Sequence, residues 1–281
     1  MKTGLSRARL MVTVGVIAAA GLCTPRAANA EAAIDLFLTL GQNQSTEANS
    51  TVVMPRVNVG IPAARDKVLV SIDWGFLSVG LPPATSGAAG QSETSFINPA
   101  VDVRYLFRDN RIDFSMGIGM SFPVADADNE NRAAAFLVGL GAVSAWKPWL
   151  YTPNTLGFFV PIFGRVDFDM FLLSMDGAFF LIIPTENGGG RTTQFGAQAA
   201  LEALVPIGWF DVGLRAQAVQ VGATGASEAY LQTSLAPLTR LYVGRSLEFS
   251  FQFNFNFDSP HGTTFATEGT WGMSLGAGVR F

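Results

Sequence analysis

The chain has very few of the residues on which disulfide frameworks and most metal sites depend. Cys23 is the only cysteine and His261 the only histidine among 281 residues. One cysteine cannot form an internal disulfide, and zinc and other transition-metal sites usually need several cysteine or histidine ligands. Charged residues make up only 14% of the sequence, and the net charge is −4 without any basic stripe. We therefore predict no metal, no cofactor and no nucleic-acid partner.

Long hydrophobic runs are also missing after the N-terminal region. Hydrophobic residues make up 49% of the chain, yet residues 31–281 contain no stretch long enough for a helical membrane span, which needs about 18 uncharged apolar residues. The high hydropathy is instead distributed over many short segments in which apolar and polar residues alternate. This distribution is typical of the strands of a transmembrane β-barrel.

The first thirty residues have the organisation of a secretory signal peptide. Residues 10–22 are apolar but too short to span a bilayer comfortably, and Ala28, Asn29 and Ala30 form a small-x-small cleavage pattern. We predict that residues 1–30 are removed and that residues 31–281 form the mature domain. The alternatives are a short membrane anchor and lipidation of Cys23, which the bulky Leu22 disfavours. Three basic residues precede the apolar stretch, namely Lys2, Arg7 and Arg9.

The alternation is clearest in two segments near the C-terminus. In residues 247–258 the even positions are all polar, and the odd positions are apolar: Leu247, Phe249, Phe251, Phe253, Phe255 and Phe257. Successive side chains of a strand point to opposite faces, so one face suits lipid and the other suits water. Residues 271–281 repeat the pattern, and similar segments recur from Ile34 onward. We therefore predict an all-β fold, a single antiparallel transmembrane β-barrel.

The segments predict twelve strands, with fourteen as the alternative. Short links at 108–111, 206–209 and 244–246 alternate with longer polar links such as 42–50, which places both termini at the end with the short turns. The alternation changes phase near Asp169. We interpret this change as a bulge within one long strand, with residues 147–155 as an elaborated periplasmic connection, because a turn there would give thirteen strands. The count of twelve also includes residues 134–145 as a weak, glycine-rich strand.

The last eight residues carry a further signature. Ser274 is followed by Gly276 and by two spaced hydrophobic residues, Val279 and the C-terminal Phe281. This pattern resembles the C-terminal insertion signal of Gram-negative outer-membrane barrels. The resemblance implies an outer-membrane location, contact with outer-membrane lipid and lipopolysaccharide, and recognition by the barrel-assembly machinery. The physical basis is that a terminal strand is an edge that can pair with another sheet.

The polar face of the predicted strands carries charges of both signs. We interpret them either as a lining that tunes permeation through a polar pore or as an internal network of ion pairs that braces a narrow barrel. A lumen of this size could be open or blocked by an inward-folded loop. Besides Asp35, the candidates for lining the lumen are Arg56, Asp73, Asp102, Arg104, Asp113, Arg165, Asp176, Glu202, Asp211, Arg215, Glu228, Arg240, Glu248 and Arg280.

Two smaller groups of residues also suggest positions in the fold. Acidic residues within 126–130 predict a solvated outer loop, or one that contacts cations bridging lipopolysaccharide. Aromatic residues near the strand ends predict girdles at the two membrane interfaces. The girdle residues include Trp74, Tyr105, Trp146, Trp149, Tyr151, Trp209 and Trp271.

Three functional hypotheses follow from these observations. The first is a passive outer-membrane channel or transporter for a small-molecule solute, without enzymatic activity. The second is a structural or surface-interaction barrel with a closed lumen. The third is a lipid hydrolase at the barrel rim, which would need His261 and the nearby Ser259. The sequence Ser-Pro-His-Gly around these two residues is typical of a turn, which argues against the hydrolase. The polar inward face, the size of the barrel and the lack of catalytic groups favour the channel.

Overall fold

The computed structural model is a closed antiparallel β-barrel. It describes residues 32–45, 48–64, 66–81, 91–109, 111–185, 192–223, 229–244, 246–257 and 269–281. The predicted signal peptide, Glu228 and His261 lie outside the described residues. No helix in the described ranges is long and apolar enough to cross a membrane. The described residues form two helices, α1 (Glu130–Ala142) and α2 (Pro148–Tyr151), which lie between strands β6 and β7.

The thirteen strands of the described residues are β1 (Ala33–Ser45), β2 (Ala48–Ala63), β3 (Val68–Leu81), β4 (Gln91–Phe96), β5 (Ala100–Arg108), β6 (Ile112–Ser121), β7 (Thr155–Asp167), β8 (Leu172–Pro184), β9 (Gln194–Ile207), β10 (Phe210–Ala223), β11 (Tyr230–Val243), β12 (Leu247–Asn256) and β13 (Trp271–Arg280).

The barrel closes where the first strand meets the last. Ala33 of β1 lies opposite Gly60 of β2 on one side and opposite Arg280 of β13 on the other. The next strands pair in sequence order, except that β3 pairs with β5 along its first half and with β4 along its second half. Strands β4 and β5 therefore share one position in the wall. The predicted barrel of twelve strands is confirmed, with one extra short strand.

Two details behind the predicted count were wrong, and they compensate for each other. Residues 134–145 belong mostly to helix α1 rather than to a strand. The change of phase near Asp169 is a turn rather than a bulge, because β7 and β8 pair from Thr155 opposite Pro184 to Asp167 opposite Leu172. Asp169 has a φ of 63°, a left-handed conformation that aspartate tolerates in tight turns. One predicted strand is lost and one is gained, so the total stays at twelve.

Two predicted connections also differ from the structure. Strands β1 and β2 continue to Ser45 and from Ala48, so most of the predicted link at 42–50 is strand. Residues 147–155 belong to the connection between β6 and β7. The pairing order places this connection at the end of the barrel opposite the short turns. It is therefore not an elaborated periplasmic turn.

The connections that follow β2, β5, β7, β9 and β11 are short and lie at one end of the barrel, together with Ala32 and the C-terminal Phe281. Two residues separate β9 from β10, and three residues separate β11 from β12. Ala32 and Phe281 exchange two backbone hydrogen bonds, each 3.0 Å long. The predicted placement of both termini at the short-turn end is therefore correct.

The outer face of the barrel is apolar. Ile118, Phe179 and Phe195 are 72%, 62% and 53% exposed although they are hydrophobic, as expected for side chains that face acyl chains rather than water. The residues before and after each of these three side chains on the same strand are small or face inward. The alternation in the sequence therefore corresponds to the outer and inner faces of the barrel wall. The lumen face differs along the barrel axis: its short-turn half is charged, whereas the half near the long loops is largely apolar.

Candidate functional site

Residues 122–154, which connect β6 to β7, fold into the lumen; we call them the inward segment. Helix α1 contacts β1, β2, β3, β4 and β13, and α2 contacts β7. The side chains of the inward segment fill the apolar half of the lumen and form one hydrophobic core with the wall. The buried residues of this core include Phe136, Trp149, Leu150 and Tyr151 from the inward segment and Val52, Leu77, Val79, Phe180, Ile182 and Val219 from the wall.

Asn98 holds both ends of the inward segment. It lies in the break between β4 and β5 and is fully buried. Its side-chain oxygen accepts hydrogen bonds from the backbone N–H groups of Val124 (3.0 Å) and Ala125 (2.8 Å). Its side-chain nitrogen donates to the carbonyl oxygens of Trp149 (3.1 Å) and Thr152 (2.8 Å). One amide thus uses its donors and acceptor fully, and it fastens the entry and the exit of the segment to the same point in the wall.

Side-chain amides of the wall cap the C-terminal end of α1. The last carbonyl groups of a helix have no partner within the helix. Asn256 donates to the carbonyl oxygen of Gly141 at 2.9 Å, Asn254 to that of Ala142 at 3.5 Å, and Gln217 to that of Val143 at 3.4 Å. These donors lie on β12 and β10, so the helix is fixed against the wall opposite the point where Asn98 holds its connections.

After α1 the chain turns sharply and reaches the middle of the lumen. Ser144, Ala145 and Lys147 all have φ between 55° and 58°, a conformation that costs non-glycine residues free energy. Lys147 marks the deepest polar contact: its Nζ lies 2.7 Å from Oδ2 of Asp73 on β3. Its backbone N–H donates to Oε1 of Gln198 on β9 at 2.9 Å. The turn is therefore fastened to two sides of the barrel.

Asp73 connects the inward segment to a second basic residue. Nε of Arg56 lies 3.3 Å from Oδ1 of Asp73, and the guanidinium of Arg56 is hydrogen-bonded to the hydroxyl of Tyr151 in α2. Burial raises the pKa of the Tyr151 hydroxyl above its ordinary value, although the positive charge of Arg56 opposes the shift. Tyr151 therefore stays neutral at physiological pH. Asp73 thus contacts the segment directly through Lys147 and indirectly through Arg56.

Trp149 is the aromatic residue that closes the lumen above this polar cluster. Its ring stacks on Phe159 of β7, with centroids 4.4 Å apart and planes inclined by 11°, and it meets Phe180 of β8 at 5.7 Å. Trp146 lies under the guanidinium of Arg215, 4.7 Å from the ring centroid. The prediction that Trp146, Trp149 and Tyr151 belong to membrane girdles was wrong, because these side chains face the lumen rather than the lipid.

A chain of ion pairs crosses the other side of the lumen. Glu202 is its centre: its side chain is only 5% exposed and lies 2.6 Å from Arg240 and 3.7 Å from Arg215. The chain continues in both directions along neighbouring strands β8 to β13 and ends on β1. In spatial order its members are Asp176, Arg215, Glu202, Arg240, Glu248, Arg280 and Asp35, with separations of 2.5–3.8 Å.

The remaining lumen candidates are not members of this chain, although Tyr242 links Asp211 to Arg240 by hydrogen bonds. Asp102 and Arg104 of β5 form an ion pair at 2.6 Å near Asp73. Asp113 lies 4.0 Å from Arg108 at the short-turn end of β6, and Asp211 accepts a hydrogen bond from the Tyr242 hydroxyl at 2.9 Å. Arg165 lies on β7 opposite Ser174.

A small cavity lies between the tip of the inward segment and the charged half of the lumen. Its volume is about 20 Å³, roughly the space that one water molecule occupies. Asp176, which is next to the cavity-lining Gly177, is 34% exposed, and Asp113 near the short-turn end is 29% exposed, although their strands turn both side chains inward. Water therefore reaches this side of the lumen from the short-turn end. The cavity is lined by charged, amide and aromatic groups that include Asp73, Asp102, Arg104, Lys147, Trp149, Phe159 and Gln198.

The sequence analysis missed the residues that close the lumen, chiefly Asn98, Lys147 and Trp149. It also treated the acidic residues within 126–130 as a loop. In the structure Asn129 is the N-cap of α1 and accepts a hydrogen bond from the backbone of Arg132 at 2.9 Å, while Glu130 occupies the first turn. Both features are helix-start signals that the sequence contained. No group of three or more metal-binding side chains occurs in the part of the chain that the structure describes.

Comparison with known proteins identifies the fold but no family. No protein family matches the sequence, and no curated protein matches it. Among solved structures, an outer membrane channel from Pseudomonas putida F1 aligns with a TM-score of 0.62 over 92% of this chain and 97% of that one, at 7% identity. The porin NanC aligns with a TM-score of 0.49 over 88% of this chain and 98% of that one, at 10% identity.

These findings define the class of protein. The chain has the fold of Gram-negative outer-membrane β-barrels, and its apolar exterior agrees with the predicted location in the outer membrane. The outer membrane channel from Pseudomonas putida F1 shares this fold. In this barrel the inward segment closes the apolar half of the lumen, whereas the other half is charged and partly exposed.

Proposed function

We propose that the protein is a channel for small solutes whose path the inward segment closes in the state described here. The observation that carries the proposal is the contact at the tip of the segment. There Lys147 and Trp149 separate a water-sized cavity and a charged, partly exposed lumen from the apolar half of the barrel.

The contacts of the inward segment support a movable closure. Its polar contacts with the wall are individual hydrogen bonds and ion pairs, centred on Asn98, the α1 C-terminus and Lys147. Its apolar contacts are more extensive, and moving the whole segment into water would expose them at a cost of about 25 cal/mol per Å². We therefore propose that the tip around Lys147 and Trp149 moves while α1 stays against the wall.

The likeness to a solved outer membrane channel supports the same proposal through the fold. It carries no information on the solute, because the two sequences are only 7% identical. The size and polarity of the charged lumen favour small polar molecules or ions over large ones. No side chain in the described residues is assigned a catalytic role in this proposal.

The test is the conductance of the purified protein in a planar bilayer, with and without the inward segment. The geometry offers a simple deletion, because the carbonyl oxygen of Ala125 and the N–H of Asn154 are hydrogen-bonded at 2.8 Å. Residues 126–153 can therefore be replaced by a short glycine–serine turn without stretching the wall. We expect steady conductance from this variant and smaller, intermittent openings from the full-length protein.

The result that would overturn the proposal is a folded but silent deletion variant. Folding is checked independently by a β-rich circular dichroism spectrum and by resistance of the barrel to unfolding in detergent. Silence of both proteins would favour the second hypothesis, a structural barrel with a closed lumen.

A further inference from the structure

We propose that the ion pair between Asp73 and Lys147 is the latch of the closed state, and that a small organic anion of the carboxylate class releases it by binding Lys147. This inference rests on the proposed channel function. The Nζ–Oδ2 distance of 2.7 Å is that of a charge-assisted hydrogen bond. The two side chains are only 23% and 6% exposed, so solvent screens the pair weakly.

When the latch opens, only one of its two partners still has an opposite charge within ion-pair distance in the described part of the chain. Asp73 keeps Arg56 at 3.3 Å, so its charge stays compensated. Within the described residues, Asp73 is the only carboxylate within ion-pair distance of Lys147. Withdrawal of Lys147 therefore leaves the lysine, and not the aspartate, in need of an opposite charge. A solute that competes with Asp73 for the charge of Lys147 is therefore an anion.

The surroundings of Lys147 suit a small carboxylate that carries an apolar group. Two carboxylates also line the cavity, but Asp102 pairs with Arg104 and Asp73 pairs with Arg56, so the charge of a released Lys147 is the uncompensated one. Gln198 offers an amide. Trp149 and Phe159 form an apolar surface next to these groups. A carboxylate can accept hydrogen bonds from several donors at once, while its apolar part contacts the rings. The cavity in the closed state holds about one water molecule, so binding has to accompany movement of the tip.

The backbone around the latch favours release once the ion pair is lost. Ser144, Ala145 and Lys147 all adopt the left-handed conformation, which non-glycine residues keep only where surrounding contacts impose it. The contacts that impose it here are the latch, the bond from Lys147 N–H to Gln198, and the 2.5 Å hydrogen bond between Ser144 and Asn256. Loss of the latch removes the contact nearest to the cavity.

Single-channel recording tests the latch, with acetate as the probe. Potassium acetate is added to both compartments and compared with equal additions of potassium chloride, of the uncharged isostere acetamide, and of methylammonium chloride. We expect acetate alone to raise the open probability of the wild-type channel. An equal response to acetamide or to methylammonium, or no response to acetate, would overturn the assignment of an anion.

Three variants separate the latch from a general effect of charge in the lumen. Lys147→Met removes the latch while Asp73 keeps Arg56, so the barrel should fold. A hydrogen bond between charged groups can shift an equilibrium by about tenfold or more, and we expect an open probability about tenfold above that of the wild type, insensitive to acetate. Lys147→Arg should restore closure, because it keeps the charge.

Arg108→Met is the matched control for these variants. Arg108 is a basic residue of β5 that pairs with Asp113 near the short-turn end and does not line the cavity. We expect Arg108→Met to keep the wild-type open probability and to respond to acetate. Wild-type behaviour of Lys147→Met would refute the latch. If the deletion of residues 126–153 conducts while Lys147→Met is unchanged, the latch fails and the channel stands; if the deletion is silent, the channel function itself fails.

Discussion

Gly41 and Gly272 lie directly opposite each other across the seam between β1 and β13, and both leave room for the C-terminal end of helix α1. A Cβ added at Gly272 would overlap the carbonyl oxygen of Ala142, and one added at Gly41 would lie 2.6 Å from the Cβ of Ala142. Two strands thus lack side chains at the one place where the helix backbone approaches the wall. The pair explains how a thirteen-residue helix fits inside a barrel of twelve strands.

The first prediction follows from this close approach. Gly272→Ala should displace the end of α1, because the overlap is with backbone atoms that cannot rotate away. Overpacking of this kind costs about 1–3 kcal/mol, which should appear as faster cleavage of the inward segment by chymotrypsin at Phe136 and Trp146. Gly164→Ala is the control, since a Cβ at Gly164 would meet nothing within 4 Å. Equal cleavage rates in the two variants would show that α1 does not depend on the glycine pair.

The wall of the barrel was predictable from the sequence because one physical rule governs every strand. Lipid on one side of the wall and the lumen on the other require side chains of different character to alternate with a period of two. Segments such as 247–257 show this alternation of apolar and polar residues. The twelve-strand count was reached although residues 134–145 and the turn at Asp169 were misinterpreted. Alternation identifies strands well, but it identifies their ends poorly.

The closure of the lumen could not be predicted in the same way. Leu77, Phe159 and Phe180 face inward but are apolar, because they meet the inward segment instead of water. This inverts the rule that lumen residues are polar, and it makes a packed lumen and a lipid-facing surface look alike in the sequence. The helix-start signal at Asn129 and Glu130 was the available clue. The partnership of Asp73 with Lys147 joins residues 74 positions apart, which no local pattern reveals.

A second prediction concerns Asn98 and the two ends of the inward segment. Asn98→Asp keeps an acceptor for the N–H groups of Val124 and Ala125 but loses the donor to the carbonyl oxygens of Trp149 and Thr152. Loss of hydrogen bonds to buried groups costs about 1–3 kcal/mol, so urea should unfold the variant at a lower concentration and chymotrypsin should cleave its segment faster.

Asn254→Asp provides the comparison for Asn98→Asp. Its bond to the carbonyl oxygen of Ala142 is 3.5 Å long, whereas the shorter of the two donor bonds of Asn98 is 2.8 Å. We expect a distinctly smaller effect from Asn254→Asp in both assays. A larger effect would mean that the C-terminal end of α1, and not Asn98, holds the inward segment.

A third prediction addresses the chain of ion pairs. Glu202→Gln removes the carboxylate that Arg240 and Arg215 share, although Arg240 keeps Glu248 and Arg215 keeps Asp176. The cost should therefore stay below that of a buried pair that is broken completely, which is about 3–5 kcal/mol. Asp169→Asn removes the partner of Arg111 at the short-turn end, where both side chains are at least 67% exposed. Such exposed pairs contribute about 0–1 kcal/mol. Free energies of unfolding in lipid vesicles should therefore fall much more for Glu202→Gln, and comparable losses would show that the chain of ion pairs does not brace the barrel.

The last prediction separates assembly in the cell from stability of the barrel. Phe281 is 65% exposed at the end of β13 and contributes little to the interior, and its backbone bonds to Ala32 do not depend on the side chain. We expect Phe281→Ala to refold in detergent like the wild type, because little buried surface is lost.

In cells we expect the level of Phe281→Ala in the outer membrane to fall, since the terminal aromatic residue is the part of the strand that the assembly machinery is proposed to recognise. Immunoblots of outer-membrane fractions measure this level. Trp209→Ala is the control, because Trp209 is an aromatic residue at the same end of the barrel and is 58% exposed. A wild-type level of Phe281→Ala, or an equal loss in both variants, would show that the exposed ring acts through the membrane interface and not through recognition.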